Sequence, residues 1–139
     1  MFEYHGWVHI RETAGLDDDD ALLRSQVEDI RRLLADLGEY GLLDLRWLNG
    51  FPFLHIAGMP NHRGEWGAQI TDLFRRVGEI APGSFGLLYV WDDEDAEHEN
   101  AFRIFRLVRG TVTEHADSLL SPLIPTVEDA EHSDGDRHG

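Results

Sequence analysis

The chain has 139 residues, 27 of them acidic and 12 basic, for a formal charge of −15. That is the length of one domain with a single core, and its charge repels nucleic acid and anionic membranes while drawing basic partners. The absence of cysteine excludes disulfides and thiolate metal sites. The opening MFEYHGWVHI lacks the basic and apolar regions of a signal peptide, and no apolar run is long enough to span a bilayer, so a cytoplasmic protein is expected.

Tyr4 to Glu12 reads as a strand, with Tyr4, Val8 and Ile10 on one face and His5, Trp7, His9 and Arg11 on the other. The run Asp17-Asp18-Asp19-Asp20 follows and opens a helix reaching Leu37. Its apolar positions Leu23, Val27, Ile30, Leu34 and Leu37 recur at three- and four-residue spacing. An Asp of the run caps it, Glu28 pairs with Arg32, and Gly38 ends it.

Leu42 to Leu48 predicts a second strand and Asn49-Gly50 a two-residue hairpin. Phe53 to Gly58 is the returning strand, with Pro52 at its start. After the loop Met59 to Gly64, where Asn61 is the expected cap, a second helix runs from Glu65 to Ala81 and stops at Pro82-Gly83. Phe85 to Trp91 is the most apolar stretch and reads as a central strand. The run Asp92 to Glu99 is a solvent-exposed acidic loop. Phe102 to Arg109 and Thr111 to His115 read as two more strands, turning at Gly110. Ser118 to Val127, carrying Pro122 and Pro125, is expected to lie extended on the surface. The expected organisation is one domain over residues 1–129, with a polar acidic tail over 130–139.

The order is therefore β-α-β-β-α-β with one or two further strands. It predicts an α+β, split β-α-β (ferredoxin-like) sandwich: an antiparallel-rich sheet of five to six strands with two helices on one face.

Nothing in the chain starts nucleophilic catalysis, there being no Cys and no Gly-x-Ser-x-Gly. The loop Gly83-Ser84-Phe85-Gly86 follows a helix, so it cannot cradle phosphate as a P-loop does. Carboxylates sit in loops, where solvent is expected to keep their pKa values ordinary. The chain is read as a non-enzyme with no cofactor and no catalytic residue. One chemical alternative stays open. If the faces bearing His5, His9 and His55 both turn away from the helices, these imidazoles could cluster near Asp44 or Glu65 and hold zinc or iron. A general acidic interaction module is the other alternative.

Trp7, Trp47, Tyr89 and Trp91 all fall in strands, and Trp91 leads directly into the acidic run. Aromatic side chains rimmed by carboxylates are what a binding site for a basic protein presents. The expected contact residues are Tyr89, Trp91, Asp92, Asp93, Glu94, Asp95, Glu97 and Glu99, joined by Asp18 and Asp19.

The segment Gly78-Glu79-Ile80-Ala81-Pro82-Gly83-Ser84-Phe85-Gly86-Leu87-Leu88-Tyr89, continuing into Trp91 to Asp95, resembles the Imm7 family of bacterial immunity proteins. So do Tyr4-His5-Gly6-Trp7, Asn61-His62-Arg63-Gly64, Leu120-Ser121-Pro122 and Ile124-Pro125-Thr126. The likeness runs from the N-terminus to about Asp129. It implies an α+β fold and a partner, a cognate toxin of a polymorphic toxin system, bound in the cytoplasm. Many such toxins are nucleases. No catalytic residue is implied.

Overall fold

The computed structural model describes residues 1–15, 19–38 and 41–131. Its elements are β1 (Phe2–His9), α1 (Asp20–Leu37), β2 (Leu42–Leu48), β3 (Phe51–Gly58), α2 (Gly64–Ile80), β4 (Phe85–Asp92), β5 (Arg103–Val108), β6 (Thr111–Ala116) and a single short turn of helix, α3 (Leu123–Thr126). The strands form one sheet in the order β2-β3-β1-β4-β5-β6. Every neighbouring pair is antiparallel.

The order β2-β3-β1-β4 is the split β-α-β arrangement expected from the sequence. Each long helix returns the chain so that β1 is flanked by β3 and β4 instead of by its sequence neighbour β2. The β5–β6 hairpin then extends the sheet. Two tight turns make the hairpins possible. Asn49 and Gly50 have φ of 52° and 83°, and Arg109 and Gly110 have φ of 51° and 74°. Two successive positive φ values match the right-handed twist of the flanking strands.

Side chains alternate along a strand, so register decides which residues meet the helices. Phe2, Tyr4 and Val8 of β1, Leu54 and Ile56 of β3, Leu88 and Val90 of β4 and Leu107 of β5 turn to one side. They pack with Leu23, Val27, Ile30 and Leu33 of α1 and Ile70, Leu73, Phe74 and Val77 of α2. Each large side chain buried there stabilises the fold by about 1.5–3 kcal/mol. Gly67 and Gly78 let α2 lie close to the sheet, since a Cβ at Gly67 would stand 3.2 Å from the Phe2 ring. Inside the same core, Trp66 Nε1 donates to the Tyr4 hydroxyl at 2.7 Å.

Several local expectations need correction. β1 begins at Phe2 and ends at His9, earlier at both ends than the alternation suggested. Asn61 is not the cap of α2: Arg63 occupies that position, in helical conformation and with no side-chain capping bond. Glu28 pairs with Arg31 at 3.8 Å and Arg32 with Asp29 at 2.9 Å, both three residues apart. The segment after Ser118 keeps extended backbone at Pro122 and Ile124, as expected, but turns at α3 and buries Leu123. Asp19 is the cap of α1 as anticipated, its carboxylate accepting from Leu22 N–H at 3.0 Å, and Gly38 ends the helix at φ 82°. Asp17 and Asp18 lie outside the described residues, as does the expected tail from residue 132 onward.

Candidate functional site

Both long helices pack on one side of the six-stranded sheet, and among the described residues neither covers the second side. The register places three rows of side chains there. The first is Arg46, Phe53, His9, Phe85 and Val108; the second is Asp44, His55, Trp7, Leu87 and Arg106; the third is Leu42, Ala57, His5, Tyr89 and Ile104. This surface is apolar and aromatic at its centre. Trp7 is 38% exposed, Phe51 51% and Phe85 36%. A contiguous exposed patch of this kind marks an interaction surface, and aromatic residues are the ones enriched at interface centres.

His9 is the hub of the patch. Its ring lies 4.5 Å from Phe53, 5.0 Å from Phe85 and 5.6 Å from Phe51, centroid to centroid. Burial among these rings lowers its pKa below the usual imidazole value, and the positive charge of Arg11 adds to the effect. The ring is therefore held neutral and behaves as part of the aromatic cluster. His5 takes a different partner, Glu3, at 2.6 Å. The two faces carrying His5, His9 and His55 do turn away from the helices, as the metal reading required. The register interposes Trp7, Phe53 and Ala57 between the imidazoles, and among the described residues no three His, Asp or Glu side chains come together as a metal ion needs.

The acidic run follows Trp91 at the end of β4 opposite to Phe85 and His9. It is a series of folded turns and not a loose loop: Asp95 N–H donates to Asp92 O, His98 N–H to Asp95 O and Ala101 N–H to His98 O, at 3.1, 3.2 and 3.3 Å. Two carboxylates stitch the turns. Asp92 accepts from Glu94 N–H and Asp95 from Glu97 N–H, each at 3.0 Å. The bond from Glu97 N–H holds the Asp95 carboxyl below its usual pKa against the opposing effect of burial, with His98 contributing further. The expectation of ordinary loop carboxylates fails here and at Asp117. Asp93 pairs with the Met1 amino group at 2.7 Å, and Glu94 pairs with His62. Trp91 is tied to the turns by a bond from Nε1 to Glu99 O of 2.8 Å.

The expected contact residues thus divide. Asp92, Asp95 and Asp19 accept backbone hydrogen bonds that hold local structure. Asp93 and Glu94 are half-engaged in ion pairs, and Glu97 and Glu99 point their carboxylates outward. Tyr89 and Trp91 lie on the uncovered face, where both rings contact Phe102, at 6.1 and 6.2 Å. Trp47 belongs to the other side of the sheet, beside Arg24, Val27, Glu28 and Arg31 of α1.

On the helix side, a cleft of about 360 Å³ between α2 and β5 includes Arg63, Asp92, Asp95, His98, Arg103 and Glu114. Its charges are of both signs, and Arg103 pairs with Glu114 at 3.4 Å. The hydroxyl there, on Thr71, donates to the carbonyl of Ala68 within its own helix at 3.1 Å. The cleft arranges no nucleophile with a base.

Residues 1–129 match the family model described as Immunity protein 7, Imm7. The chain belongs to the Imm7 family. Imm7 proteins protect against a toxin. No curated protein and no solved structure matches the chain. No helix among the described residues of the Imm7 domain is long and apolar enough to cross a membrane.

Sequence reasoning singled out the acidic end and missed the centre, Phe51, Phe53, Phe85 and Leu87. The signal was present: β3 and above all β4 alternate between two largely apolar or aromatic sets, where a strand with one wet face alternates apolar with polar.

Proposed function

We propose that this Imm7 protein neutralises its cognate toxin in the cytoplasm by forming a one-to-one complex, with the toxin seated on the uncovered sheet face. The observation that carries the reading is the aromatic patch around His9, Trp7 and Phe85, left bare by both long helices. Those rings supply the desolvated centre of the interface. Tyr89 and Trp91 continue it toward the acidic turns, whose outward carboxylates, chiefly Glu97 and Glu99 with Asp93 and Glu94, steer a basic partner. The other acids of the expected site, Asp92, Asp95 and Asp19, act through the backbone they hold.

The toxin best matched to this surface is a nuclease. A nuclease carries a basic groove for phosphate, and an acidic, aromatic surface occupies that groove while excluding nucleic acid. No catalytic step is assigned to the immunity protein.

Co-expression with the toxin domain tests the reading. Cells survive with the wild-type protein and the two proteins co-purify in equal amounts. Trp7→Ala and Phe85→Ala together abolish protection while the domain stays folded. Full protection by a folded double variant would remove the sheet face from the interface.

A further inference from the structure

The two edges of the sheet are unlike. β6 presents Thr111, Thr113, Glu114 and His115 to solvent, and its one sizeable apolar side chain, Val112, packs against the core. That is a blunted edge. β2 is not blunted. All seven of its residues stay in register with β3, from Leu42 opposite Ala57 to Leu48 opposite Phe51. It contains no Pro and no Gly. Leu42, Trp47 and Leu48 are 51%, 41% and 48% exposed. Among the described residues no other backbone pairs with its outer edge. A long, regular, apolar edge is a template for another strand.

We infer that β2 pairs antiparallel with β2 of a second copy of this chain, with Leu45 on the two-fold axis, joining two six-stranded sheets into one. The strand is self-complementary about that residue. Asp44 comes opposite Arg46 of the second copy, Leu42 opposite Leu48 and Leu43 opposite Trp47. Each such pair shares a face, because Asp44, Arg46, Leu42 and Leu48 lie on the uncovered side and Leu43 and Trp47 on the helix side. Asp44 and Arg46 already pair within one strand at 3.0 Å, side chains outward, so their charges are poised at the edge.

The register is selected by charge. A two-fold antiparallel pairing must place a residue against its own copy, with both members on one face. Centring it on residue 44 puts Asp44 against Asp44, and centring it on residue 46 puts Arg46 against Arg46. Only Leu45 at the centre makes both charged contacts attractive. This complementarity favours a second copy over a foreign strand. The contact is one strand wide, so a dissociation constant on the order of micromolar fits it.

Analytical ultracentrifugation of the free immunity protein, without toxin, tests the pairing. The wild-type chain is expected to be a concentration-dependent dimer. Asp44→Arg and Arg46→Asp should each weaken it by about tenfold or more, through two like-charge contacts per dimer. Arg46 is exposed and Asp44 half-buried, and thermal melting checks that each variant is folded. The decisive arm mixes the two. One variant then offers arginine at both positions 44 and 46, and the other offers aspartate at both. Every charged contact between unlike chains is attractive, so the mixture forms heterodimers although neither variant dimerises alone. The double variant D44R/R46D, with both charges exchanged, dimerises like the wild type. A chain that stays monomeric at about 100 μM, or a dimer that both reversals leave intact, overturns the inference. So does amide protection of residues 42–48 that arises only when toxin is added to a monomeric chain.

Discussion

Trp7 and Phe85 meet edge to face on the uncovered side of the sheet, their ring centroids 6.0 Å apart and their planes at 89°. They are diagonal neighbours on adjacent strands, since Trp7 stands opposite Leu87 and His9 opposite Phe85. Such a pair contributes about 0.5–1.5 kcal/mol beyond its buried area, and it fixes two large rings in place before any partner arrives. Neither ring is in the core. Their arrangement therefore serves the surface more than the fold.

The first prediction separates those two roles. Trp7→Ala should lower the denaturation midpoint modestly, because at 38% exposure most of the ring is packed, against Phe85 among others. It should weaken toxin binding by at least about 2 kcal/mol, as truncation of a central aromatic does. Calorimetric titration beside a urea melt reads both quantities. A variant that loses stability and keeps its affinity would make Trp7 a structural residue.

The acidic turns give a second prediction, and it divides carboxylates that look alike in the sequence. Glu97→Lys with Glu99→Lys should slow association with the toxin, most at low salt, and leave dissociation nearly unchanged. Asp95→Ala should act differently, releasing Glu97 N–H and speeding its hydrogen exchange while the association rate changes less. Stopped-flow association across a salt series, with exchange measured on the free protein, distinguishes them. Equal effects on association from both variants would show that position in the run, not the hydrogen bonding, decides the role.

The element order was legible because helix and strand periods are strong and the hairpin signals Asn49-Gly50 and Gly110 are local. The ferredoxin-like order followed from connection rules. What could not be read was register. Whether Trp47 shares a side with Leu45 or with Arg46 follows from alternation, but which side the helices cover depends on packing across the whole sheet. The acidic run illustrates a second limit. Its charge is visible in the sequence, whereas the use of Asp92 and Asp95 as turn caps depends on where the chain must return to β5. Glu28 meeting Arg31 instead of Arg32 is a third limit, because three- and four-residue spacings both place a partner within reach on a helix.

A third prediction concerns pH. Burial and Arg11 lower the His9 pKa in the folded state, while in the unfolded chain it returns to the ordinary value near 6.5. The unfolded chain therefore takes up the proton first as pH falls. Stability supplied by the neutral ring is complete above the unfolded value, begins to decline as pH drops past 6.5, and is lost on passing the lower folded value. His9→Phe keeps the aromatic packing and removes the titration. Its urea midpoint should fall less than the wild type's between about pH 7 and pH 5. Parallel curves for the two proteins would show that His9 does not couple protonation to folding.

The last prediction concerns the C-terminal segment, held by two polar anchors. Asn100 Oδ1 accepts from Ile124 N–H at 2.8 Å and Nδ2 donates to Ile124 O at 3.0 Å, so one side chain pairs with a backbone unit as a neighbouring strand would. Asp117 accepts from Leu119 N–H, Leu120 N–H and the Ser121 hydroxyl. Ser121 Oγ in turn accepts from Phe102 N–H at 2.9 Å. Burial alone would raise the Asp117 pKa, but these donors outweigh it and hold the carboxyl below its usual range. The anchor is therefore intact above the ordinary carboxylate value and fails as pH falls through the lower folded value. Asn100→Ala leaves Asp117 in place yet removes two hydrogen bonds, a loss of roughly 1–3 kcal/mol. It should free Leu123 from its buried site and speed amide exchange at Leu123 and Ile124, with Phe102 and the Trp91 ring beside it loosened in turn. Exchange at Leu54, in the main core, should stay as slow as before. Unchanged exchange at Ile124 would mean that the Asp117 anchor and the backbone bond from Leu123 N–H to Asn100 O, at 2.8 Å, fix the segment without the Asn100 side chain.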